Sequence, residues 1–181
     1  MELIKIMFFA LGTFFGIENS QIGAEKTTVT IDPNAKTITV IQENLFTLIR
    51  HEADSLLISE QLTAILKEAS TEKSQSPEEG SKSLSFYTSG KDNLNAKIEI
   101  TYTNHKDLKD YAIDCSEDGS YSLINYPSWK LSTEDGTLKD KYWNFDGDAT
   151  FEFILEPFKE LPAEYEVYKK NLFPMWQELK D

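Results

Sequence analysis

The chain of 181 residues carries 31 Asp and Glu against 18 Lys and Arg, a formal net charge of −13. An acidic surface of that size repels phosphate backbones, because nucleic-acid affinity rests on Lys and Arg releasing counterions, and nucleic acid and anionic membrane surfaces are therefore excluded as partners. At this length one core of ordinary size is expected, and with Cys115 as the single cysteine that core has to be held by packing, since no intrachain disulfide is possible.

The N-terminus has the order of a secretory signal. Lys5 precedes a twelve-residue apolar or small run, Ile6 to Ile17, and Ile22-Gly23-Ala24 offers a small-residue cleavage site before Glu25. The run is too short to span a bilayer, which takes about 20 residues of helix. The reading is a cleaved signal over 1–24 and a mature domain over 25–181, periplasmic or secreted from a bacterium. The competing reading is an apolar N-terminal helix docked on the core. Cleavage removes only Glu2, Lys5 and Glu18 among the charged residues, so the mature domain stays strongly acidic.

Thr28 to Ile31 and Thr37 to Ile41 alternate with period two around Asp32-Pro33-Asn34-Ala35, which predicts a β-hairpin. From Leu45 the apolar spacing shifts to three and four. That predicts a short helix, a break near His51 to Asp54, and a longer helix to about Ala69. Residues 70–83, STEKSQSPEEGSKS, contain no apolar side chain and are expected to form a mobile loop.

Beyond the loop, Leu94, Ala96, Ile98, Ile100 and Tyr102 alternate with polar residues, the signature of an antiparallel sheet with one covered face. Further strands are predicted over 84–88, 111–116, 121–126, 129–132, 141–145 and 150–155, separated by Gly- and Asp-rich turns. Pro162 suits the start of a C-terminal helical segment that Pro174 divides. The predicted fold class is therefore α+β: a single antiparallel meander of about six to eight strands, with helices packed on one face.

Few residues point to chemistry. His51 and His105 have no metal-ligand partner at helical or hairpin spacing, and Cys115, inward with Tyr111 and Ile113, suits a buried structural thiol. Asn144, Asp146 and Asp148 resemble a calcium loop by eye, but Ala149 and Leu155 stand where such a loop needs Gly and Glu, and a turn explains them better. No phosphate-binding loop, nucleophile elbow or Cys pair occurs, and no cofactor is expected.

Aromatic residues are dense near the C-terminus. Strand 141–145 offers rings to both faces, Tyr142 opposite Trp143 and Phe145, so Trp129, Tyr142, Trp143 and Phe145 are the candidate ligand-binding residues. The functional expectation is an exported, non-catalytic binding or interaction protein that takes a small apolar or sugar-like ligand or a protein partner. The alternatives are a hydrolase or lyase working through carboxylates, and an acidic inhibitor or immunity protein steered to a basic partner.

Overall fold

The computed structural model describes residues 10–72 and 80–180. Among the described residues ten strands form two antiparallel sheets rather than the single meander that the alternation suggests. Strands β1 (Gly23–Asp32), β2 (Thr37–Leu48), β3 (Lys82–Ser89), β4 (Asn93–Thr101) and β9 (Phe151–Leu155) lie in the order β3-β4-β2-β1-β9, and β10 (Lys169–Asn171) also pairs with β2. Strands β5 (Ile113–Cys115), β6 (Tyr121–Ile124), β7 (Thr137–Lys139) and β8 (Tyr142–Phe145) make the second sheet, in the order β5-β6-β8-β7.

The split has a local cause. After β4 the chain enters a 3-10 helix, His105–Tyr111, fixed by a capping box in which Asn104 and Asp107 satisfy each other's backbone N–H groups. That turn carries the chain off the first sheet, to which β9 returns beside β1 and β10 beside β2. Period-two alternation says which side chains face inward, but it does not say which strand lies next door.

The β1–β2 turn forms as its sequence requires: the Asp32 carboxylate accepts from the N–H groups of Asn34 and Ala35, both at 2.9 Å. β2 then runs straight through the predicted short helix to Leu48. Leu45 and Leu48 suit either period, and pairing of Phe46, Thr47 and Leu48 with β10 decides for strand. The helix begins only at the predicted break. In α1 (Glu52–Glu72) the Asp54 carboxylate accepts from the N–H groups of Arg50 and His51, at 2.8 and 2.9 Å, and these bonds hold its pKa below the usual value.

Ile58, Leu62, Ile65 and Ala69 form the buried stripe of α1, which packs against β3 and a 3-10 helix at Leu11–Phe15. The inner face of the six-stranded sheet, where Val29, Ile31, Ile38, Val40, Ile98 and Phe153 are buried, meets α1 at β3 and the rings of the second sheet at β9. The outer face carries Thr28, Thr30, Thr39, Lys97 and Glu99. One side of the sheet is dry and the other wet, as predicted.

The expected signal segment lies only partly within the described residues, since 1–9 fall outside them. Residues 10–24 are packed. Leu11, Phe14, Phe15 and Ile22 are buried, and Leu11 N–H donates to Ile22 C=O at 3.1 Å. Gly12 N–H donates to Ser20 Oγ at 3.1 Å, and the close approach leaves no room for a Cβ at position 12. Gly23 and Ala24 already pair with Phe46 and Leu45. Of the predicted loop 70–83, residues 73–79 also lie outside the described part; α1 extends to Glu72 and β3 starts at Lys82.

The C-terminal segment is two short helices, α2 (Ala163–Glu166) and α3 (Phe173–Glu178, with Pro174 in its first turn), separated by β10. Among the described residues no helix is long and apolar enough to cross a membrane.

Candidate binding cleft

The four aromatic candidates do not form one surface. Trp129 and Phe145 are buried, Trp143 is half-buried, and Tyr142 is 46% exposed. The alternation along β8 is as read from the sequence: Trp143 and Phe145 share the inner face, and their cross-strand partners on β6 are Leu123 and Tyr121. Phe145 stacks on Phe151 at 4.4 Å, and Tyr121 meets Phe151 at 5.4 Å, so these rings join the two sheets. Trp129 packs edge-on to Tyr126 at 4.9 Å, while Tyr142 points to the opposite face, across from Ile124 and Lys139.

His105 and Cys115 border this interior, and Cys115 is half-buried rather than the buried thiol expected from the alternation. The Tyr121 hydroxyl lies 2.6 Å from His105 Nδ1, and Cys115 pairs with Tyr121 across β5–β6. Burial first, and then the neighbouring Tyr121, push the Tyr102 phenol well above its ordinary pKa. The Asp146 carboxylate accepts from Asp148 N–H at 3.0 Å, the geometry of a turn.

A different set of residues lines an open cleft. The β2–β4 pairing ends at Gln42 with Ala96 although β4 itself continues to Asn93, and β10 takes up the same edge of β2 from Phe46, with Leu172 N–H donating to Leu45 C=O at 3.1 Å. Glu43 and Asn44 are left between the two partners on that edge, and this gap is the floor of the cleft. Asn44 sits there with φ +55°, a left-handed conformation that Asn tolerates better than most side chains. Its N–H donates to Asn95 Oδ1 at 2.8 Å, and Asn95 Nδ2 in turn donates to Ser89 Oγ at 2.8 Å.

Glu25, opposite Asn44 on β1, closes the arrangement. One carboxylate oxygen accepts from Lys169 Nζ at 2.6 Å and the other from Asn44 Nδ2 at 2.8 Å. Burial pushes the Glu25 pKa up, but those two hydrogen bonds and the Lys169 charge outweigh it, and the group is held below its ordinary value. Lys169 also lies 4.8 Å over the Phe46 ring, and Phe46 meets Phe158 edge to face at 4.9 Å, so the ammonium is set by an apolar wall.

The cleft has a volume of about 460 Å³, with Asn93, Glu166 and Asn171 on its rim. A neighbouring cleft of about 390 Å³ shares Glu25, Asn44, Glu166 and Lys169 and extends toward the Lys26–Glu43 pair, whose Nζ···Oε2 distance is 3.0 Å. The lining is therefore three amides, two carboxylates and one ammonium over two apolar residues. Such a set offers donors and acceptors in fixed planes.

Nothing in the sequence singled these residues out. Glu25, Asn44 and Lys169 are apart in the chain, and the one local signal is the polar run Gln42-Glu43-Asn44 between the β-branched Thr37 to Ile41 and the apolar Leu45-Phe46. Comparison with family models, with curated proteins and with solved structures found no match.

Proposed function

We propose that this is a non-catalytic binding protein whose ligand is a small sugar-like molecule held in the Glu25–Asn44–Lys169 cleft. The observation that carries the reading is the lining itself: amide, carboxylate and ammonium groups, of which Glu25, Asn44 and Lys169 are prearranged by hydrogen bonds to one another, match a ligand with several vicinal hydroxyls, each of which both donates and accepts. Preorganisation matters because side chains already fixed lose little entropy on binding.

The same geometry disfavours Glu25 as the general acid of a hydrolase. Acid catalysis by a carboxyl group needs a pKa raised toward the working pH, whereas Glu25 is held low and both its oxygens are engaged. Glu25 acts here as an ionised acceptor.

Export to the periplasm or the exterior of a bacterial cell belongs to this reading, supported by the order of Lys5, the apolar run and Ile22-Gly23-Ala24. A chain cut before Glu25 loses Leu11, Phe14, Phe15 and Ile22 from its core.

Native mass spectrometry of the protein recovered from its expression host tests the function. Excess mass equal to a mono- or oligosaccharide, lost on denaturation and absent from Lys169→Met, is the expected result. A ligand retained equally by Lys169→Met contradicts the assignment to this cleft.

A further inference from the structure

The two edges of the six-stranded sheet are treated differently. Along β9 the outward backbone groups are all answered. Ser132 and Ile154 exchange N–H···O bonds at 2.9 and 2.8 Å, Glu152 N–H donates to the Asp135 carboxylate at 2.8 Å, Glu152 C=O accepts from Thr133 Oγ1, and Glu156 N–H donates to Trp129 C=O at 3.1 Å. That edge is closed by its own chain.

The β3 edge has no such cover among the described residues. Thr101 N–H donates to Ser81 C=O at 2.8 Å, which marks residues 81 and 101 as a hydrogen-bonded pair of the β3–β4 ladder. In an antiparallel ladder such pairs alternate, so Ser83, Ser85, Tyr87 and Ser89 direct their backbone groups to β4. Leu84, Phe86 and Thr88 direct theirs away from the sheet. The strand is eight residues long, contains no Pro, and carries its only charge, Lys82, at its first position. The devices that usually keep an edge strand from pairing are missing from 83–89.

We propose that this edge joins two copies of the chain: β3 pairs antiparallel with its symmetry mate about a two-fold axis at Phe86, making one continuous sheet from two. In that register Phe86 faces Phe86 of the second copy and Leu84 faces Thr88. Every outward N–H and C=O then opposes another, and inner-face residues meet inner-face residues. Lys82 falls beyond the paired strand. The paired segment carries no charge of either sign, so copies with a net charge of −13 meet there without opposing acids. The half-buried Phe86, already 5.9 Å from Trp176, and the 41% exposed Tyr87 flank the contact.

Sedimentation velocity across roughly 1–100 µM tests it. The wild type is expected to show a monomer–dimer equilibrium that shifts to dimer as salt rises, because salt screens the repulsion between two acidic bodies. Thr88→Pro removes an outward N–H without touching the β4 ladder, and Phe86→Glu places two carboxylates on the axis. Each is expected to weaken the dimer at least tenfold, and circular dichroism confirms that each variant is folded. A wild type that stays monomeric across the range, a dimer that weakens with salt, or folded variants that dimerise like the wild type would overturn the proposal.

Discussion

The four-stranded sheet and the notch in β2 divide the protein's side chains between two tasks. Around Phe145 the rings are spent on one another: Phe145, Phe151, Phe153 and Tyr121 interlock between the sheets, and of the four aromatic candidates only Tyr142 is exposed. Around Asn44 the polar groups are fixed yet reachable, since Glu25 and Lys169 keep 42% and 21% of their side-chain surface exposed. Chemical conspicuousness in the sequence and availability in the fold run in opposite directions here. Substitutions in the first region should therefore cost stability, and substitutions in the second should cost binding.

The largest effect belongs to the N-terminal segment. Burial of a large apolar side chain contributes about 1.5–3 kcal/mol, so a chain beginning at Glu25, which loses Leu11, Phe14, Phe15 and Ile22, forfeits an amount comparable to the entire stability of an ordinary domain. Thermal denaturation should show no cooperative transition for that chain. A transition matching that of the full chain would show instead that the segment is dispensable, as a cleaved signal must be.

Next in size is Phe145→Ala, which leaves a cavity beside Phe151 and should cost about 3–5 kcal/mol in chemical denaturation. Sugar affinity measured where the variant remains folded should not change. Loss of affinity without loss of stability would return the aromatic face to the binding site.

In the cleft the order reverses. Lys169→Met should lower affinity tenfold or more in calorimetry while changing stability by less than about 1 kcal/mol, because partly exposed ion pairs contribute little. The pH dependence follows from the lowered pKa of Glu25. Its contribution to stability is present above the unfolded carboxyl value of 4.5 and is lost as pH falls through the lower folded value. Glu25→Gln should flatten that acid limb of the stability profile, and an unchanged limb would mean that the pair with Lys169 does not form in solution.

The smallest effect is expected for Tyr142→Ser, within about 0.5 kcal/mol in stability and without consequence for the ligand. It is the one exposed member of the four, and a clear loss of binding in this variant would be the strongest reason to move the site.

Much of the local structure is legible in the chain. The alternation from Leu94 to Tyr102 and the inward pair Trp143 and Phe145 can be read directly, because side-chain direction in a strand is fixed by period two alone. The Asp32-Pro33-Asn34 turn is legible for a similar reason: its hydrogen bonds are made within four residues. What could not be read depends on distant partners. Leu45 and Leu48 fit a helix as well as a strand until β1 pairs with Leu45 and β10, more than a hundred residues later, with Leu48. The cleft is of the same kind, since Asn44 becomes a floor residue only because the pairing with β4 ends at Gln42 and that with β10 starts at Phe46.

The account rests on the cleft around Asn44, and titration of a panel of mono- and oligosaccharides into the wild type and Asn44→Gly, followed by calorimetry, tests it most directly. Glycine accepts the left-handed backbone at this position, so the variant keeps the fold and removes only the amide. Saturable binding to the wild type that falls at least tenfold in Asn44→Gly is the predicted result. Binding that is equal in both proteins, or absent from the wild type for every sugar, would contradict the account.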